Sequence, residues 1–506
     1  MRWKTRTEPR LWAWTRLQTT TPDSRRVAGL LTRWLGFVFF WALLAWWRQA
    51  AGLIGPSGIS PAADYLAAVQ ANVGFWQRLW LAPTLLWLGS GTRALHLLCG
   101  LGLATAVLVM LRLKPRLGLA VCLIAFLSLI APAQAFASYQ SDGMLVSASF
   151  IALFLDDDAP SWWSWFALRW LWFSIYFGSG IAKLLSGDPQ WRHLSALDHY
   201  YENLPLPNWV GWYAQQHLPH AAEAAIALSI LLVELGLAWL CFGPRRLRLL
   251  CFWITTPLQV AIILTANYGF LNYLVLGLGF ALLDDRHLQW LLGRFRRAPL
   301  AEAPAGAGWG TAAASLVLMA WFLMTAANLA QRLWPRFPAP AAVTDALQPF
   351  RVADGFGLFA VMTRNRYEIE FQGSADGTTW VPYPFRYKPQ NPKQAPDGNW
   401  FFLAPYQPRF DWNLWFASLG SYRDNDWVEQ TELRLLQNDR AVLDLFAGNP
   451  FAAAPPRAVR AVLWQYWFAT PAARRQQGIW WTRRQLGLYA PELALTPGGA
   501  AVVPIP

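Results

Sequence analysis

Seven stretches of this chain stay apolar for about the 20 residues that a helix needs to cross a bilayer. They lie at 29–47, 93–111, 118–137, 162–185, 221–242, 249–266 and 309–330. Two shorter ones, 143–156 and 271–283, need protein neighbours or a re-entrant path, and nine crossings are expected. Beyond RLWPRFPAP the period changes. The run YEIEFQGSADGTTWVPYPF alternates apolar and polar residues about Asp376-Gly377, which predicts a hairpin. Between Asp411 and Phe446 apolar residues recur three and four apart, predicting helices, and AVRAVLWQYWFAT predicts a last strand.

The expected fold is therefore a polytopic α-helical membrane bundle followed by an extracytoplasmic α+β, sheet-containing domain. Its units are a basic tail (1–28), the bundle (29–330) with a polar segment at 186–219, a soluble domain (331–490) and a loose tail (491–506). No internal repeat is visible.

Composition agrees with a membrane protein: 55% of the 506 residues are hydrophobic and 14% charged, against roughly 25% charged in soluble domains. The net charge of +13 would suggest nucleic acid in a soluble protein. Here the basic residues sit at helix ends, so no nucleic-acid partner is expected. Eight arginines and lysines between Arg2 and Arg33 precede or open the first span, which puts the N-terminus in the cytoplasm. With nine crossings, the groups around Arg112, Arg245, Arg286 and Arg294 fall on that same side, and so does Asp156-Asp157-Asp158. The opposite face receives 48–92, the Gln140-Ser141-Asp142 turn, 186–219, the Asn267-Tyr268-Gly269 turn and everything after about 331. Polar and aromatic patches thus converge there, and many of the 33 tryptophans are expected at lipid–water boundaries and in an aromatic-lined cavity. The first 26 residues are too polar for a cleavable signal peptide. All four cysteines lie in apolar segments, none with the spacing of a metal cluster, and no metal is expected.

Lys183 is the conspicuous charge. It ends the apolar run 162–185, where it either snorkels to the interface or, with Gly178 and Gly180 forming a small face for helix packing, points into the bundle toward Asp142 or Asp188. Buried, it would act as a base or bind an anion. Asp142 also suits a helix N-terminus. Asp284 and Asp285 read as solvated. Asn267 and Asn272 suit the stitching of a broken turn, with Tyr268 between them, or contact with a substrate. Trp191, His193, Asp198, His199, Tyr200, Tyr201 and Glu202 form an aromatic and polar run that an interfacial amphipathic helix would explain without chemistry. Catalytic candidates are thus Lys183, Asp142 and Asp188, and binding candidates Trp191, Asp198, Tyr200, Glu202, Asn267, Tyr268 and Asn272. No motif names a reaction or a cofactor.

The stretches RWLWFSIYFGSGIAKLLSGDPQWRHLSALDHYYENLPLPNWVGWYAQQHLP, LTANYGFLNYLVLGLGFALLDD, LAPYQPRFDWNLWFASL and AGNPFAAAPPRAVRAVLWQYWFAT follow one another in order. Together they resemble the lipase maturation factor family. The resemblance spans roughly 130–485. It implies a polytopic protein that assists folding of secreted lipases, in the endoplasmic reticulum of eukaryotic relatives. The Ala/Arg/Trp-rich composition and cysteine-free exported part suit a bacterial inner membrane. Partners implied are membrane lipid and a secreted, lipase-like client. One departure is that Ser147 stands where the family carries a glutamate. The helix IYFGSGIAKLLSGDPQW is also similar to the horizontally transferred transmembrane domain of vitamin-K-dependent γ-carboxylase, whose lysine, here Lys183, serves as a base. Two readings follow: a non-catalytic maturation factor, or a membrane-embedded enzyme acting on a lipid or exported protein. A transporter is weaker, for want of an inverted repeat.

Overall fold

The computed structural model describes residues 24–155, 161–291, 309–396, 403–496 and 499–502. Most of the basic tail, the Asp156–Asp158 loop and Arg294–Arg297 lie outside them. The bundle consists of α1 (Arg25–Ile54), α2 (Thr92–Met110), α3 (Pro115–Ile130), α4 (Gln140–Ala152), α5 (Trp162–Leu185), α6 (His220–Leu235), α7 (Arg245–Thr265), α8 (Leu271–Leu278) and α9 (Trp309–Leu333). Among the described residues, five helical stretches are long and apolar enough to cross a membrane: α1, α2, α6 with its 3₁₀ extension to Phe242, α7, and Gly310–Leu333 of α9. α3 and the stretch Leu271–Leu282 are apolar but shorter.

Local signals explain the boundaries. Pro115 opens α3 at a position where its missing N–H costs nothing. The Ser161 hydroxyl caps α5 by accepting from the Ser164 N–H at 3.1 Å. Asp285 departs from the expectation of a solvated carboxylate. It is buried, and its two oxygens accept from the backbone N–H groups of Arg26 (3.1 Å) and Val27 (3.0 Å), capping α1 from 258 residues away. Asp284 forms an ion pair with Arg245 instead.

The C-terminal domain is a six-stranded sheet: β1 (Arg366–Ser374), β2 (Val381–Pro382), β3 (Ala458–Phe468), β4 (Trp481–Leu488), β5 (Leu493–Thr496) and β6 (Gly499–Val502). β1 runs antiparallel to β3 from Arg366↔Tyr466 to Ser374↔Ala458. The expected hairpin joins β1 and β2, with Gly377 at φ +80° and Asp376 accepting from the Thr378 and Thr379 N–H groups. The helices α10 (Arg409–Ala417), α11 (Asp426–Leu436) and α12 (Arg440–Leu443) are inserted between β2 and β3. β4 pairs with the far half of β3 and β5 with its first residues. The tail from 491, expected to be loose, thus supplies β5 and β6, and its ordering comes from backbone pairing to β3 and not from its own sequence.

One hydrophobic cluster runs without a break from the bundle into this domain. Phe136, before α4, meets Trp427 of α11 edge-on at 5.2 Å. At the end of α1, Gln49 donates to the Gln407 carbonyl (3.0 Å) and accepts from the Phe410 N–H (3.2 Å). Arg434 donates to the Gly58 carbonyl at 3.0 Å. The domain is therefore seated on the bundle's polar ends.

Candidate functional site

Helix α5 carries Lys183 into the interior because one of its faces is small. A Cβ on Gly180 would lie 2.9–3.0 Å from Leu235 and Glu234 of α6, and one on Gly178 would lie 2.5 Å from the Phe356 carbonyl oxygen. Gly180 thus serves helix packing as expected, whereas Gly178 admits the strap that leads to the C-terminal domain. That strap is clamped. Arg332 donates to the Phe356 carbonyl (2.7 Å), the Gly357 N–H to Gln140 (2.8 Å) and the Leu358 N–H to the Ser179 hydroxyl (3.0 Å).

Lys183 is 2% exposed. Its ammonium lies 2.8 Å from Glu234, donates to the Leu358 carbonyl at 3.1 Å and stands 5.0 Å from the Trp191 ring. It does not snorkel, and neither Asp142 nor Asp188 is its partner. Both of those carboxylates are engaged elsewhere. Asp142 forms a bidentate pair with Arg409 at 2.9 and 2.7 Å, with both side chains at 0% exposure. Asp188 accepts from the Gln190 N–H (3.0 Å) at a helix start and from the Met362 N–H (2.7 Å). The three catalytic candidates therefore form three separate constellations. Glu234 was missed, although its signal equalled that of Lys183: a lone charge in the apolar run ILLVELGLAWL.

The ion pair borders a cavity of about 590 Å³. One wall is polar, where Gln259 donates to the Tyr176 hydroxyl (2.7 Å) and accepts from the Asn272 amide (2.8 Å). Pro257 interrupts α7 beside it, removing a backbone donor from the helix. The rest of the lining is mainly aliphatic and includes Ile226, Ile230 and Val233 of α6 and Ile254, Leu258 and Ile262 of α7. Among the described residues, the buried oxygens Glu234 Oε2 and Asn272 Oδ1 have no hydrogen-bond partner.

A second cavity, about 470 Å³, lies beyond the strap and is lined by Tyr139, Asn203, Tyr268, Trp412 and Asn413 among others. Tyr200 borders both cavities and accepts from the Tyr268 hydroxyl at 3.1 Å. Burial pushes both phenols upward in pKa, so they stay neutral. Trp191 and Asn272 border the first cavity only. Asn267 accepts from the Gly269 N–H at 3.0 Å within its turn.

Glu202 belongs to neither cavity. Its carboxylate accepts from the Phe468 N–H of β3 (3.0 Å) and pairs with His199 (3.1 Å), which holds the imidazole pKa above its ordinary value. Arg366 donates to the Glu202 carbonyl at 2.8 Å. Tyr201 and Glu202 are each 5% exposed, so this end of the run is covered, with Tyr201 in a cluster with Tyr466, Phe468 and Trp481 of the C-terminal domain. Asp198 lines neither of these cavities; it pairs with His220 at 2.9 Å, and the two gather with Glu223 so that their ligand atoms lie within 4.8 Å of one another. The sequence spacing did not show that grouping. Ser147 donates to the Arg351 and Val352 carbonyls (3.3 and 3.2 Å), a strap-holding role that needs no carboxylate.

Comparison with known proteins covers both parts of the chain. The lipase maturation factor transmembrane domain matches residues 26–290 and the lipase maturation factor C-terminal domain matches 352–491. Bovine lipase maturation factor 1 is 32% identical over 510 residues, covering 92% of this chain and 88% of the bovine protein. Mouse lipase maturation factor 2 is 29% identical over 604 residues, covering 94% and 84%. No solved structure matches the chain. With both domains matched in order and the helices to carry them, this chain is a multi-pass integral membrane protein of the lipase maturation factor family.

Proposed function

We propose that the protein assists the maturation of secreted lipases, with the C-terminal domain and the 186–219 segment forming the surface that handles the client. The observation that carries this reading is the seating of the domain: 48–92, Asp142, 186–219 and the 267–269 turn all meet it. Arg434 reaches Gly58, Arg409 reaches Asp142, Arg366 reaches Glu202, and Gln407 lies against Gly269. These are the segments that nine crossings put on one face. The count is reached when α3, α4, α5 and α8 cross beside the five apolar spans. On this reading the N-terminus is cytoplasmic and the domain is exported, in a bacterial inner membrane. The family match supports a lipase as client.

The geometry favours a non-catalytic role over that of an embedded enzyme. Lys183 is held by a carboxylate and a carbonyl, and a base in the resting site needs a free lone pair aimed at substrate. The test is co-expression of a secreted lipase with the full chain and with a chain truncated after residue 331. Activity per mass of exported lipase should fall on truncation; equal specific activity in the two strains refutes the proposal.

A further inference from the structure

Asp198, His220 and Glu223 stand apart from both cavities. They come from two parts of the chain: Asp198 from the polar segment 186–219, His220 and Glu223 from the start of α6. Three residues apart, His220 and Glu223 project from one face of that helix. Ala196 and Leu197, next to Asp198 in sequence, share a buried cluster with Ala227, one turn further along α6. That packing holds Asp198 over the same face. One donor atom from each of the three residues then lies within 4.8 Å of the other two.

Glu223 shows what this grouping lacks. It is 5% exposed, and among the described residues its Oε1 has no hydrogen-bond partner. A buried carboxylate oxygen without a donor costs free energy, and a cation is a partner that needs little room. Oε1 is shut off from water, which would sit ~2.7 Å away in a hydrogen bond, whereas a metal–oxygen bond is only ~2.0–2.2 Å long. A bare ion thus reaches an oxygen that no water or organic ligand can touch. The grouping also sets two carboxylates side by side, a repulsion that a divalent cation turns into attraction. His220 Nδ1 and Asp198 Oδ1 are 2.9 Å apart, a separation that subtends ~90° at an ion bound to both at ~2.1 Å. Two adjacent ligands of a five- or six-coordinate ion meet at that angle. The side chains of His220 and Asp198 are 64% and 34% exposed, so water can complete the shell on their side.

We infer that Asp198, His220 and Glu223 bind a divalent transition metal of the zinc class, and that the ion fastens the 186–219 segment to α6. One imidazole with two carboxylates suits zinc, whereas calcium and magnesium take oxygen ligands. The set contains no cysteine, so the cysteine spacing carried no sign of it. The inference depends neither on the identity of the client nor on orientation in the membrane.

The experiment uses the full chain, purified in detergent through a tag without histidine, stripped with EDTA and titrated with zinc chloride by calorimetry. The wild-type chain should take up one equivalent. His220→Ala removes an exposed side chain and leaves the packing intact, and it should weaken binding at least about tenfold. Glu223→Gln keeps the shape of the buried group and should do the same. His193→Ala, at an exposed histidine outside the set, should bind as wild type. Hydrogen exchange in peptides covering 190–203 should slow on adding zinc to the wild type and stay unchanged in His220→Ala. No uptake by the wild type, or equally tight uptake by both variants with thermal melts showing them folded, would overturn the site. Displacement of zinc by equimolar calcium would overturn the class of metal, and zinc uptake without slower exchange would overturn the fastening role.

Discussion

The Asp142–Arg409 pair is the connection most exposed to test, because it joins residues 267 positions apart with no access to water. Arg409 has little else to hold it. It donates to the Phe136 carbonyl at 2.8 Å and lies 4.5 Å from the Trp46 ring. Removing one member of a buried pair leaves the other charge unmatched, at a cost of about 3–5 kcal/mol. Asp142→Leu and Arg409→Met should each lower the unfolding temperature by about 3–5 °C, at ~1 °C per kcal/mol for a cooperative unit of this chain's length. The double variant replaces both charges with apolar groups and should recover most of that loss, giving a coupling energy of ~2 kcal/mol or more. The assay is tryptophan-fluorescence unfolding of the full chain in detergent, run for all four corners of the cycle. Single-variant costs below ~1 kcal/mol, or strictly additive losses, would show that the pair does not hold the two parts together.

Three further outcomes follow from the same geometry. Lys183→Met leaves Glu234 buried and unmatched and should cost about 3–5 kcal/mol, while Lys183→Met with Glu234→Leu should refold to near wild-type stability; a destabilised double variant in thermal melts would contradict the isolated-pair picture. Glu432 in α11 is buried, and burial pushes its pKa well above the carboxylate range. The folded state then holds a proton that the unfolded state releases above about pH 4.5, so stability should fall by ~1.4 kcal/mol per pH unit from there up to the folded pKa. Glu432→Gln should remove that slope, and parallel stability–pH curves for the two proteins would disprove it. Gly178→Ala drives a methyl to 2.5 Å from the Phe356 carbonyl oxygen and should cost about 1–3 kcal/mol, read as a lower melting temperature; a neutral effect would mean the strap yields.

What the sequence reveals here follows the range of the interaction. Periodicity located the helices, since a span is a local property of about 20 side chains, but not all their ends: α1 runs to Ile54 against an expected 47 and α3 stops at Ile130 against 137. The Asp376-Gly377 hairpin was legible for the same reason. Lys183 stood out as a lone charge, and Glu234 carried the same signal unread. What pairs with what was not legible: Asp142 with Arg409, Asp285 with the start of α1, and β5 with β3 are joined only by the fold. A carboxylate near a lysine in sequence is a poor guide when helix faces decide proximity, and here the Gly180 face chose α6.

The strap carries a mechanical consequence. Between α9 and β1 the chain passes through Phe356, Gly357 and Leu358, each tied to the bundle, and the Leu358 carbonyl takes a hydrogen bond from the same ammonium that neutralises Glu234. The C-terminal domain starts its first strand at Arg366, a few residues further on. The strap therefore links that domain to Lys183, the one cation that lines the cavity among the described residues. Displacing the strap would therefore remove one of the two hydrogen bonds that hold the Lys183 ammonium.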